Sequence, residues 1–316
     1  MPLFDAYVMV DWSGGSGRRA GKQDCLWIAH GAAAAAAPTT VSPRSRTEAE
    51  HIIRSLLQPI VGSRRGRVLV CADFAYGFPA GFALLLRKST ADAPPPWRVV
   101  WQYLKKHLED DLGTAPGRQP TNRSNRFEVA NAINAAASTP APPGPFWCLF
   151  KPGSYANVPQ KQPAQPFACP SGAIAPLRMT DTRAKSDTPF RLFGTGSVGS
   201  QVLTGIPRLE SIRFDPQLSS HSAVWPFETG WAPATSSWLA PHLQILHAEM
   251  YPSVRAPLND TIKDRGQVRV MWQWARDLDA KDFLVNEFAI PAGVASGSRD
   301  DVVIRSEEGW ILGCPP

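Results

Sequence analysis

Apolar, β-branched runs alternate along the chain with stretches whose apolar positions recur at three- and four-residue spacing. Ala6-Tyr-Val-Met-Val10 is continuously apolar and runs into Asp11, the pattern of a strand buried on both faces. The turn-rich segment Trp12-Ser-Gly-Gly-Ser-Gly17 follows, then Arg18, Arg19 and Lys22. A returning strand is predicted over Asp24 to Ala29, which makes a hairpin with a small, basic loop. A third short strand falls near Thr39 to Ser42. Thr47 opens a helix carried by Ile52, Ile53, Leu56 and Leu57. Arg67 to Ala72 is a second buried strand, and it too ends in an aspartate, Asp73.

Further along, the spacing predicts helices over Trp97 to Asp111 and Arg126 to Ala137, and a strand over Phe146 to Phe150. A helix from Gly194-Thr-Gly-Ser-Val-Gly199 runs to about Ile212. Strands follow at Ala223 to Phe227 and Leu243 to Glu249, then helices over Lys263 to Asp277 and Asp282 to Phe288. Early strands followed by alternating helices and strands predict an α/β domain with a mixed sheet. We take residues 1–316 as a single domain, with a Pro-rich insertion over residues 120–195.

Composition narrows the class. With 43% hydrophobic residues the chain can bury a sizeable core, and 31 prolines in 316 residues exclude a coiled coil or helical array. No apolar run approaches the ~20 residues of a bilayer span, and the N-terminus lacks a signal-peptide pattern. Five cysteines scattered singly suit a reducing compartment, so a cytoplasmic location away from membranes is expected. A net charge of +6 permits a nucleic-acid partner without requiring one.

Candidate chemistry gathers at the strand ends. If the strands ending in Asp11 and Asp73 are parallel neighbours, both carboxylates emerge at the carboxyl edge of the sheet, where open α/β sheets place ligands. Glu249 repeats the pattern before Met250-Tyr251-Pro252, with His247 on the same strand face. Clustered carboxylates repel and call for a cation. Oxygen ligands without paired cysteines favour Mg²⁺ or Mn²⁺. Asp264 at the start of the Lys263 helix is a fourth acid, with Asp279 and Asp282 as rivals and Lys263 beside it to meet a phosphate. Taken alone, Asp11 or Asp73 is better explained as a turn residue, and Asp264 is at least as well explained as a helix-start charge; the matched pair with Glu249 tips the balance to function. Candidate substrate contacts are Ser13, Gly14 and Lys22 in the first hairpin, Arg123 and Arg126 before the middle helix, and Ser197 in the later Gly-rich segment.

Strand–Asp11 with its Gly-rich hairpin, Ala72-Asp-Phe-Ala-Tyr-Gly-Phe-Pro79, His247-Ala-Glu-Met-Tyr-Pro252 and the Lys263 helix resemble a family of predicted ribonuclease-H-like nucleases. Trp225-Pro-Phe-Glu-Thr-Gly230, Gly196-Ser-Val-Gly-Ser-Gln201 and Glu308-Gly-Trp-Ile311 are similar to a bacterial branch of uncharacterised relatives. The late Asp279-Ala-Lys-Asp282 departs from the family pattern. The resemblance implies a ribonuclease-H-like mixed five-stranded sheet flanked by helices. It also implies metal-dependent hydrolysis of nucleic acid, with Asp11, Asp73, Glu249 and Asp264 as metal ligands. Two other readings stay open: a small-molecule phosphotransferase using the two Gly-rich segments as nucleotide loops, and an inactive scaffold that keeps the fold.

Overall fold

The computed structural model describes residues 2–17, 19–63, 66–87, 94–115, 118–137, 144–148, 155–169, 172–194, 197–233, 238–256 and 258–315. In chain order the elements are β1 (Ala6–Asp11), β2 (Trp27–Ala32), β3 (Thr39–Val41), α1 (Arg46–Leu57) and β4 (Val68–Ala72). Next come α2 (Phe82–Leu86), α3 (Pro96–His107), α4 (Arg126–Ala137), β5 (Phe167–Cys169), β6 (Gly172–Ile174) and α5 (Met179–Ala184). The remainder is α6 (Val198–Arg213), β7 (Ser222–Val224), β8 (Ile245–Glu249), α7 (Lys263–Asp279), α8 (Leu284–Glu287) and α9 (Arg299–Val303).

The main sheet is mixed and has six strands, one more than expected, in the order β3-β2-β1-β4-β8-β7. β1, β2 and β3 pair antiparallel, whereas β1–β4, β4–β8 and β8–β7 are parallel. Alternation along β1 divides the core. Val8 and Val10 join Ile53, Trp101 and Ile206 beneath α1, α3 and α6. Tyr7 and Met9 join Val268, Met271 and Trp272 beneath α7. A sheet covered on both faces explains why β1, β4 and β8 read as unbroken apolar runs.

Several boundaries move from expectation. β2 begins at Trp27 rather than Asp24, because Asp11 pairs with Trp27 and residues 24–26 belong to the hairpin loop. α1 is capped by Ser45, whose Oγ accepts from Glu48 N at 3.1 Å, so Thr47 is already inside the helix. α3 stops at His107 instead of Asp111, and Asp110 instead bridges to Ser124. Residues 146–148 form no strand; Trp147 makes a single parallel bridge to Arg191, and residues 149–150 lie outside the described residues. The Pro-rich region packs its apolar residues into the molecule. Val129, Ile133, Phe146, Val158, Phe167 and Phe190 all enter the core under α3 and α6.

Among the described residues, no helix is long and apolar enough to cross a membrane.

Candidate carboxylate site

Ladder register brings the strand ends together. Val10 pairs with Ala72 and Ala72 with Glu249, while Asp73 N donates to Val10 O at 2.9 Å and Met250 N to Ala72 O at 3.0 Å. Asp11, Asp73 and Glu249 therefore leave three adjacent parallel strands at one edge. Asp264 reaches the same edge from the first turn of α7, where its Oδ2 accepts from Asp24 N at 2.5 Å.

The charges interact as this placement requires. Asp11 is buried, and its carboxyl is driven well above the usual carboxylate range, first by burial and then by the negative charges of Asp73 and Asp264. Asp73, half-buried, is pushed up to about 7 by burial and by Glu249 and Asp264. Burial also raises Asp264, although the Asp24 N–H bond opposes it. Lys263 lowers all three and is the cation that partly offsets their repulsion. Neither Asp11 nor Asp73 accepts a side-chain hydrogen bond or forms an ion pair among the described residues.

Glu249 departs from this pattern. Strand alternation sets it on the face of His247 and Ile245, opposite to Tyr7, Met9 and Asp11. There Arg178 grips it bidentately, Nη1 to Oε2 at 2.7 Å and Nη2 to Oε1 at 2.6 Å. Tyr76 N donates to Oε2 at 3.0 Å. Arg178 also holds Asp181 through Nε at 2.9 Å and Nη2 at 2.7 Å, and donates to Glu308 O at 3.0 Å. Both partners of the Arg178–Glu249 pair are almost wholly buried. Burial still leaves the Glu249 carboxyl raised, with Arg178 pulling it back. Expected as a metal ligand, Glu249 is already ion-paired with an arginine that it shares with Asp181. Among the described residues, no group of three or more His, Cys, Asp or Glu side chains has the geometry to hold a metal ion.

The rival acids are accounted for. Asp279 is buried, and its carboxylate accepts from Leu3 N at 2.7 Å, Phe4 N at 2.9 Å and Tyr7 Oη at 2.7 Å. It clamps the start of the chain to the end of α7, away from the site. Asp282 is exposed in a turn with φ 61°. His247 is fully buried, its Nε2 2.9 Å from Ser222 Oγ, and burial pushes it down to about 3; it is a core histidine.

The hairpin loop is shaped from behind by a residue that pattern did not reveal. Arg46, fully buried, sends Nη1 to Ser13 O at 3.1 Å and Gly15 O at 2.8 Å, and Nη2 to Asn122 O at 2.5 Å. Its Nε and Nη2 pair with Asp110 at 2.8 and 2.6 Å. Ser13 Oγ serves the loop itself, accepting from Gly15 N at 3.3 Å and donating to Asp24 O at 3.3 Å. Gly14 is a packing position, because a Cβ there would lie 2.6 Å from the Ser200 carbonyl carbon. Lys22 is exposed, and its carbonyl accepts from Trp27 Nε1 at 3.0 Å.

At the head of α6, Gly199 N donates to Arg191 O at 2.9 Å, so that N–H is not free for an anion. Ser197 occupies the N-cap without a side-chain capping bond, and residues 195–196 lie outside the described residues. Gly14 is thus packed and the Gly199 N–H engaged. Arg123 and Arg126 instead line a cleft of about 490 Å³ beside the hairpin loop.

Compared with protein-family models, curated proteins and solved structures, the chain matches none. The functional reading therefore rests on the residues of this chain.

Proposed function

We propose that the chain is a divalent-metal-dependent hydrolase acting on phosphodiester bonds of nucleic acid, built on a ribonuclease-H-like core. The strand order β3-β2-β1-β4-β8, antiparallel through β1 and parallel beyond it, supports that core. The observation that carries the chemistry is the convergence of Asp11, Asp73 and Asp264, with no hydrogen bond or ion pair on the carboxylates of Asp11 and Asp73 among the described residues.

An oxygen-only donor set under mutual repulsion suits a hard cation such as Mg²⁺ or Mn²⁺. Asp11 and Asp73 would hold it, with Asp264 at the margin, where its tie to Asp24 N limits its approach. Such an ion supplies charge neutralisation at the phosphate and a hydroxide at neutral pH. Lys263 faces the same carboxylates and would meet the phosphate. Glu249, gripped by Arg178, would act indirectly by holding the edge of β8 rigid and adding negative charge near Asp73.

That grip also favours a second reading. A core whose third carboxylate is sequestered suits an inactive scaffold. Incubation of labelled single- and double-stranded DNA and RNA with Mg²⁺ or Mn²⁺ separates the two. The hydrolase reading expects cleavage that disappears in Asp11→Asn and Asp73→Asn. Absence of cleavage with either ion, or cleavage that persists in both variants, refutes it, and the first of these favours the scaffold.

A further inference from the structure

The cleft beside the hairpin loop contains a buried cation that forms no ion pair among the described residues. Arg126, at the first position of α4, is 6% exposed and lines the cleft with Ser16, Gly17, Arg123 and Ser124. Its hydrogen bonds go to hydroxyls, Nε to Ser200 Oγ at 2.9 Å, Nη1 to Ser124 Oγ at 3.0 Å and Nη1 to Ser16 Oγ at 3.4 Å, and its Cζ lies 4.5 Å from the centre of the Phe127 ring. Nη2 makes no hydrogen bond, and no carboxylate pairs with this guanidinium, among the described residues. Among the described residues the other buried arginines, Arg46, Arg178 and Arg213, are paired with Asp110, with Glu249 and Asp181, and with Glu228.

A buried charge left unpaired is costly, and a neutral hydrogen-bonded shell does not cancel it. Burial, with Arg46 nearby, brings the guanidinium down to about 10, although Asp110, Tyr155 and Glu128 act in the opposite sense. Arg123 adds a second positive charge at the cleft, exposed to solvent. Glu128, the acid on the cleft wall, is engaged by the Tyr155 hydroxyl at 3.0 Å. The cavity thus holds two guanidinium groups against one carboxylate, is lined by serine hydroxyls and is wide enough for a phosphate group.

We propose that this cleft is a phosphate-binding subsite, with Arg126 Nη2 and Arg123 gripping the phosphate oxygens and the Ser16 and Ser124 hydroxyls completing the shell. A guanidinium fork matches phosphate geometry, and a partly desolvated one binds it more strongly than an exposed lysine does. The phosphate comes from a nucleic-acid chain or is free in solution. The loop from Asp11 to Gly17 links the carboxylate edge to this cleft, and its Ser16 and Gly17 line both the cleft and a smaller depression that reaches Asp24. The subsite itself does not depend on the carboxylates being catalytic.

The test is equilibrium binding in EDTA, which separates it from any metal-dependent chemistry. Calorimetric titration and thermal shift are read with inorganic phosphate and with a short oligothymidylate, at fixed ionic strength, using chloride as the control. Saturable binding of phosphate, weakened about tenfold or more in Arg123→Gln and in Arg126→Gln, is expected, since one charged hydrogen bond is worth ~1.5–3 kcal/mol. Oligothymidylate competing with phosphate assigns a nucleic-acid chain, and phosphate binding without competition assigns the free anion. No saturable phosphate binding, or unchanged affinity in the folded Arg123→Gln variant, overturns the proposal. Arg123 is exposed, so that variant stays informative if Arg126→Gln fails to fold.

Discussion

Replacing Asp73 with asparagine should stabilise the protein at neutral pH. The Asp73 carboxyl has moved from its ordinary 3.8 to about 7 through burial and through Glu249 and Asp264. A raised carboxyl favours the protonated form in the folded state. Its cost is absent below pH 3.8, grows as pH rises towards 7 and is constant above. At 1.36 kcal/mol per pH unit the full displacement corresponds to ~4 kcal/mol. Because Asp73 is only half-buried, screening by water reduces this to ~1–3 kcal/mol. Asparagine keeps the shape and removes the charge. Urea unfolding of wild type and Asp73→Asn at pH 4 and pH 7.5, without divalent ions, should show a gain at pH 7.5 that shrinks towards zero at pH 4. Addition of Mg²⁺ at ten times its Kd should stabilise the wild type by ~1.4 kcal/mol and the variant by less. A variant less stable than wild type at pH 7.5, or a difference independent of pH, would refute the repulsion on which the site is argued.

Two further substitutions probe the carboxylates that already have partners. Arg178→Met leaves Glu249 and Asp181 buried without their cation and should cost ~3–5 kcal/mol in urea unfolding; a loss below ~1 kcal/mol would mean that the pair is not desolvated as described. Asp279→Asn weakens the clamp on Leu3 N, Phe4 N and Tyr7 Oη and should cost ~1–3 kcal/mol, with faster amide exchange at residues 3–7. An unchanged exchange rate there would contradict the clamp.

The paired strand–aspartate segments were legible because a strand covered by helices on both faces has to be apolar throughout, which makes a terminal carboxylate conspicuous. Asp264 was legible as a helix-start acid. The role of Glu249 was not, because its face depends on ladder register with β4, and a strand's own residues do not reveal that register. Arg178 and Arg46 were hidden for a related reason. Arg178 follows a Pro-rich segment and meets Glu249 across 71 positions, and Arg46 meets Asp110 across 64. Neither spacing leaves a periodic trace. The short strands β5 and β6, three residues each, fall below the length at which alternation can be read. Asp279 looked like a ligand candidate because composition alone cannot separate a carboxylate that binds backbone N–H groups from one that waits for a cation.

Arg46 has a consequence for how tightly anything can bind at the hairpin. Fixing one residue's backbone costs ~1–2 kcal/mol, a penalty that a floppy glycine loop would levy on every ligand it closes around. Here Arg46 holds the Ser13 and Gly15 carbonyls, and the Gly17 N–H and carbonyl are tied to Thr121 O and Asn122 Nδ2. The loop has therefore lost that freedom during folding. A ligand arriving there meets a surface already in its bound shape, and its affinity is set by the contacts it gains.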